Sequence, residues 1–119
     1  MGHKTLIYIS LSITIAIAVV SLMPINQQIA PHVQFLDKVV HVVMYFVLSF
    51  SWLKTFSGIN KSVYYFYSIL LIVLLYGIII EVLQSVLTTY RKGDFYDVMA
   101  NLVGIIIAGI VFKHSSQKN

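Results

Sequence analysis

Four long apolar segments constrain this chain more than any other feature of it. They cover about residues 5–23, 37–55, 62–87 and 94–112, and each is long enough to cross roughly 30 Å of hydrocarbon as a helix. The chain has 119 residues, of which 59% are hydrophobic and 10% charged. Because this composition is typical of multi-spanning membrane proteins, we predict an all-α fold. The expected protein is one polytopic membrane domain over residues 1–119, a bundle of four transmembrane helices.

The first apolar segment has two interpretations, a signal peptide or a retained helix. It follows Lys4, which resembles the basic start of a signal peptide. The sequence from Ser21 to Pro24 is a poor small-residue cleavage site, however, and the segment is long enough to span a bilayer. We therefore expect a retained helix that ends at Pro24, followed by a polar loop from Asn26 to His32.

The basic residues predict the orientation of the bundle. With a cytoplasmic N-terminus, the two sides of the membrane would carry Lys4, Lys54, Lys61, Lys113 and Lys118 inside and Lys38, Arg91 and Lys92 outside. The positive-inside rule favours this arrangement. We therefore predict that both termini are cytoplasmic (N-in/C-in).

Composition also excludes several classes of chemistry. The chain has no cysteine, so disulfides, thiolate catalysis and cysteine-based metal sites are excluded. Its formal charge of +4 comes from basic residues scattered over short connections, without the basic patch that nucleic-acid binding needs. Membrane lipids are therefore expected partners and nucleic acid is not. No cofactor is expected, and the sequence leaves the oligomeric state open.

The second and third segments carry polar residues on one face each. Asp37, His41 and Tyr45 are spaced by four residues, so they form one stripe along a helix. Glu81 and Gln84 are three residues apart near the end of the third segment. Because the two segments are expected to be antiparallel neighbours, both polar groups would lie at the same depth in the outer leaflet.

The fourth segment brings a third polar stripe to that depth. Asp94, Asp97 and Asn101 share one face of it, and the face continues with the small residues Gly104 and Ala108. Small residues allow neighbouring helices to approach closely. Three segments thus place polar side chains at one level, which suggests a polar pocket near the outer surface.

Several of these residues also have a purely structural interpretation. Asn101 and Gln84 are equally well explained as interhelical hydrogen-bonding residues, and Tyr45 as a core aromatic residue. Asp37 and Asp94 are candidate helix N-caps, although that role leaves unexplained why Asp37 shares a stripe with His41.

Four residues favour a functional site more strongly: His41, Glu81, Arg91 and Asp97. An isolated carboxylate at the depth of Glu81 costs several kcal/mol, and Arg91 is a natural partner for it or for a phosphate. The ligand site predicted from the stripes and from Arg91 consists of Asp37, His41, Tyr45, Glu81, Gln84, Arg91, Asp94, Asp97 and Asn101.

Three functions remain open for this site. The first is binding or remodelling of an envelope lipid or a lipid-linked, anionic cell-wall ligand. The second is catalysis on a phosphoryl or acyl group, with His41, Glu81 and Asp97 as candidate catalytic residues and Asp37 orienting His41. A divalent cation held by the acidic residues and His41 would be a variant of it, but no recognised metal motif is present, and no metal is expected. The third is a structural role in a larger membrane complex.

The order of these residues resembles that of the VanZ-like membrane proteins, a family named after an accessory factor of teicoplanin resistance. The matching patterns are Asp37-Lys38-x-x-His41-x-x-x-Tyr45, Glu81-x-x-Gln84 and Arg91-x-x-Asp94-x-x-Asp97-x-x-x-Asn101-x-x-Gly104. The resemblance implies a small multi-pass protein of the bacterial plasma (inner) membrane. In some members it also implies an effect on glycopeptide susceptibility, so antibiotic resistance is an expectation from the family and not from the residues.

The predicted orientation can be tested by cysteine labelling on this cysteine-free background. In intact cells, a membrane-impermeant thiol reagent should label a Lys92→Cys variant and should leave a Lys113→Cys variant unlabelled until the membrane is opened. The reverse pattern of labelling would invert the predicted orientation.

Overall fold

Four α-helices make up the described part of the chain. A computed structural model describes residues 2–22, 31–57, 63–87 and 95–117, with side chains at 2–22, 38–57, 64–87 and 95–115. The helices are α1 (His3–Leu22), α2 (Pro31–Ser57), α3 (Val63–Leu87) and α4 (Phe95–Gln117). Each contains a segment long and apolar enough to cross a membrane, and these ranges contain no strand. The predicted all-α fold with four candidate transmembrane helices is confirmed.

The start of α2 differs from the prediction. The helix begins at Pro31, although the loop was expected to continue to His32. Proline suits the first turn of a helix for two reasons. Its ring fixes φ near the helical value, and the N–H group that it lacks would have no acceptor within the helix at that position. Asp37 therefore lies well inside α2, and its interpretation as the N-cap of this helix is wrong.

The helices run up and down, so that α2 and α4 are parallel to each other. Contacts between them occur in the same order along both helices: Lys38 lies against Asp97, Val42 against Gly104, and the Phe50 ring against the Phe112 ring. The starts of α2 and α4 therefore share one end of the bundle, which we call the cluster end. The start of α1 and the end of α4 share the other, the terminal end.

The closest helix approach is at Gly104. A Cβ atom added there would lie 2.3 Å from the carbonyl oxygen of Val42 and 3.0 Å from the amide nitrogen of Phe46. Since both atoms belong to the backbone of α2, no side chain can move aside to make room. Ala108, one turn further along α4, is fully buried. The prediction that these small residues allow close packing is confirmed.

α1 packs against α2 and α3 and contributes Ile17 to the apolar core. Its buried side chains are Ser10, Ile17 and Ser21. The Ser10 and Thr55 hydroxyls are hydrogen-bonded at 2.9 Å. Trp52 Nε1 donates to Thr14 Oγ1 at 3.0 Å, and the Tyr76 hydroxyl donates to the Thr14 carbonyl oxygen at 2.5 Å. Hydroxyl and indole groups thus fasten an otherwise apolar helix to α2 and α3.

The packing at Gly104 predicts a position-specific cost of adding one methyl group. Gly104→Ala should lower the thermal unfolding midpoint in detergent, because α2 and α4 must separate; overpacking of this kind costs about 1–3 kcal/mol. Gly109→Ala is a matched control on the same helix, since its added Cβ would meet only the side-chain ends of Leu70 and Phe66, at 3.2 and 3.3 Å. An equal effect of both substitutions would contradict the backbone contact at Gly104.

Candidate functional site

Three helices bring one ionisable side chain each to a single point near the cluster end. His41 of α2, Glu81 of α3 and Asp97 of α4 are all buried, with at most 6% of each residue exposed. Nε2 of His41 lies 3.7 Å from Oε1 of Glu81 and 4.0 Å from Oδ2 of Asp97. Both carboxylates therefore face the same imidazole nitrogen. We call His41, Glu81 and Asp97 the triad.

A second layer lies one helical turn deeper than the triad. Tyr45 follows His41 by four residues, Asn101 follows Asp97 by four, and Gly77 precedes Glu81 by four, so each lies beneath its triad neighbour. A Cβ added to Gly77 would lie 2.9 Å from Nδ2 of Asn101 and 3.1 Å from the Tyr45 ring. Gly77 thus provides the space that the two larger side chains occupy. It was not among the predicted site residues, although its spacing from Glu81 places it on the polar face of α3.

Lys38 is a further member of the site and was not among the predicted site residues. Its Nζ lies 2.5 Å from Oδ1 of Asp97, and 29% of its side chain is exposed. An ammonium group on a flexible stem can reach from a buried carboxylate towards the aqueous boundary. The available signal was its position three residues before His41, which places both on one face of α2.

Asn101 has no hydrogen-bond partner for either of its side-chain polar atoms among the described residues. Both Nδ2 and Oδ1 are unpaired, and only 1% of the residue is exposed. Leaving a buried polar group unpaired costs about 1–3 kcal/mol. The interpretation of Asn101 as an interhelical hydrogen-bonding residue therefore finds no support in the described contacts, and its amide is available to a bound molecule or ion.

Gln84 has a structural contact instead. Its Nε2 donates to the carbonyl oxygen of Ser21 at 2.6 Å, and both residues are buried. This bond joins the end of α3 to the end of α1, so it supports the interpretation of Gln84 as a residue that holds helices together. Tyr45, also predicted as a site residue, is 1% exposed and belongs to the apolar core with Leu48 and Val73.

Three predicted site residues lie outside the described side chains: Asp37, Arg91 and Asp94. Their roles stay predictions. The described part of the site consists of the triad, Lys38 and the layer beneath.

The triad is chemically suited to hold a cation or a shared proton, or to accept hydrogen bonds from a polar ligand. Two carboxylates and one imidazole nitrogen offer acceptor atoms within 4.8 Å of one another. Buried carboxylates are costly unless charge or hydrogen bonds compensate them, and Lys38 supplies part of that compensation for Asp97. Such a group inside a membrane domain is a functional-site candidate.

The ion pair between Lys38 and Asp97 predicts energetic coupling. In detergent, Lys38→Met and Asp97→Asn should each change the thermal unfolding midpoint. The change in the free energy of unfolding of the double variant should differ from the sum of the two single changes by on the order of 1 kcal/mol. Lys113→Met combined with Asp97→Asn is the control, because Lys113 lies near the terminal end, where its Nζ is over the Phe66 ring. If the effects of Lys38→Met and Asp97→Asn were additive, the contact between these two residues would contribute nothing to stability.

Comparison with known proteins gives a family match over nearly the whole chain. The family model described as VanZ/LLP1 matches residues 4–115, a range that includes all four helices almost completely. No curated protein and no solved structure matches the chain. The predicted VanZ-like resemblance is thereby confirmed: the chain belongs to the VanZ/LLP1 family.

Proposed function

We propose that this protein binds the polar head group of an envelope lipid or of a lipid-linked cell-wall component, at the outer-leaflet side of the bacterial plasma membrane. The observation that carries the proposal is the amide of Asn101, one helical turn from Asp97, which has no hydrogen-bond partner within the described part of the chain. A cluster that served only to hold helices together would be expected to pair its own polar groups. The binding surface is the triad together with Lys38, Asn101 and, by prediction, Arg91.

The polar groups of the site suit a ligand that carries both hydroxyl or amine donors and a negative charge. Carboxylates, an amide oxygen and an imidazole accept hydrogen bonds from hydroxyl and amine groups. Lys38, which is partly exposed, and Arg91 supply positive charge for a phosphate at the rim. A phosphate-linked saccharide or peptide head group combines these features.

An apolar cavity lies deeper in the bundle, between the site and the terminal end, and it supports an amphiphilic ligand. It has a volume of about 270 Å³ and lies between α1, α2 and α3, lined by residues such as Leu48, Trp52 and Val73. Leu48 follows His41 by seven residues, which places it about 10 Å deeper in the bundle. A polar site near one end and an apolar cavity at greater depth fit the two halves of a lipid-linked molecule.

The proposal includes an effect on glycopeptide susceptibility, which the family resemblance implies. Expression of this protein in a glycopeptide-sensitive bacterium should raise the teicoplanin concentration that inhibits growth. His41→Ala, Glu81→Gln, Arg91→Ala and Asp97→Asn should each return it to the level without the protein. Double variants should be no worse than single ones, because groups that act as one site are not additive.

Membrane abundance and thermal stability of each variant are measured beside the phenotype. His114→Ala serves as the control for His41→Ala, since it removes an exposed imidazole from the far end of α4 and should leave the phenotype intact. If each variant lost the phenotype only in proportion to its lower abundance in the membrane, the role of the cluster would be structural. If Arg91→Ala retained the full phenotype, Arg91 would not bind the anionic part of the ligand.

A further inference from the structure

We propose that the triad and Asn101 form a binding site for one divalent transition-metal ion, of which Zn²⁺ and Mn²⁺ are the expected kinds. The proposal concerns the chemistry of the chain's own side chains and does not rest on the envelope ligand. The sequence carried no metal motif because the ligands come from three helices that are far apart in the chain.

The distances within the triad are close to those of a metal site. Metal bonds to nitrogen and oxygen of about 2.1 Å place neighbouring ligands of a tetrahedral ion about 3.4 Å apart. Nε2 of His41 lies 3.7 Å from Oε1 of Glu81 and 4.0 Å from Oδ2 of Asp97. All three ligand atoms lie within 4.8 Å of one another, so side-chain shifts of up to about an ångström would bring them onto one ion. One nitrogen and two carboxylate oxygens suit Zn²⁺ or Mn²⁺ better than Mg²⁺, which prefers an all-oxygen shell.

Asn101 supplies the second, independent observation. Its Oδ1 is buried and has no hydrogen-bond partner among the side chains that the structure describes, and the residue follows Asp97 by four positions on α4. Two side chains at this spacing on one helix can bind the same metal ion, as in helical zinc motifs. We assign Oδ1 of Asn101 as the fourth ligand, a role that gives this oxygen a partner and leaves the Nδ2 group to donate to a bound head group.

Lys38 would compete with the ion for Asp97. Its ammonium lies 2.5 Å from Oδ1 of that carboxylate, and its partial exposure allows it to move to the aqueous boundary. The site therefore predicts an unusual result: removing this positive charge should tighten metal binding. An ion pair of this exposure contributes about 0.4–1 kcal/mol, which corresponds to roughly a two- to fivefold gain in affinity.

The experiment is calorimetric titration of the full-length protein in detergent, purified through a tag without histidine, with ZnCl₂, MnCl₂ and MgCl₂ in separate runs. One Zn²⁺ or Mn²⁺ per chain should bind, at least tenfold more tightly than Mg²⁺, and should raise the thermal unfolding midpoint. His41→Ala should weaken binding by at least about 10- to 100-fold, the loss typical even of groups that only support metal ligands. His114→Ala is the matched control and should bind like the unaltered protein.

Asn101→Leu separates the metal role from a structural one. Leucine has the same side-chain branching as asparagine and removes an unpaired polar group, which offsets the cost of its larger volume, so the metal-free variant should unfold close to the midpoint of the unaltered protein. The same variant should bind metal more weakly. Lys38→Met should bind it more tightly. Binding that survives His41→Ala, or that is equal for Mg²⁺ and Zn²⁺, would overturn the proposal, as would the absence of any binding.

Discussion

A charged side chain inside hydrocarbon needs a compensating partner, and this requirement organises one end of the bundle. His41, Glu81 and Asp97 each come from a different helix, and the imidazole of His41 can face both carboxylates only where α2, α3 and α4 meet. Burial of a carboxylate without compensation costs several kcal/mol. The meeting point therefore selects one register of these three helices, because a shift of one residue would turn a carboxylate towards lipid.

Close packing beneath the triad makes this meeting possible. Gly104 brings the backbones of α2 and α4 together, and Gly77 leaves room for Tyr45 and Asn101 under Glu81. Apolar side chains alone give little preference for helix contact over lipid contact, so van der Waals fit at small residues carries much of the association. The two glycines thus help to position Glu81 and Asp97 by allowing the three helices to pack closely beneath them.

Sequence alone could predict the helices and the level at which the polar stripes meet, because hydropathy and helical spacing follow directly from residue order. It restricts the partners across helices only in part. Gln84 shares a face with Glu81 in the sequence, yet it donates to Ser21 of α1. Lys38, which the sequence placed only as a basic residue on the outer side, is paired with Asp97. These pairings depend on how each helix is rotated about its own axis. The spacing of polar residues shows which of them share a face of one helix, but it does not show which neighbouring helix that face contacts.

The central claim is that the cluster binds a ligand instead of merely joining helices. Native mass spectrometry of the protein released from bacterial membranes tests it most directly, with Glu81→Gln as the comparison. The account predicts that the unaltered protein retains one lipid or lipid-linked molecule with a large polar head group, and that the folded Glu81→Gln protein loses that molecule while keeping ordinary phospholipids. Identical bound lipids on both proteins would contradict it.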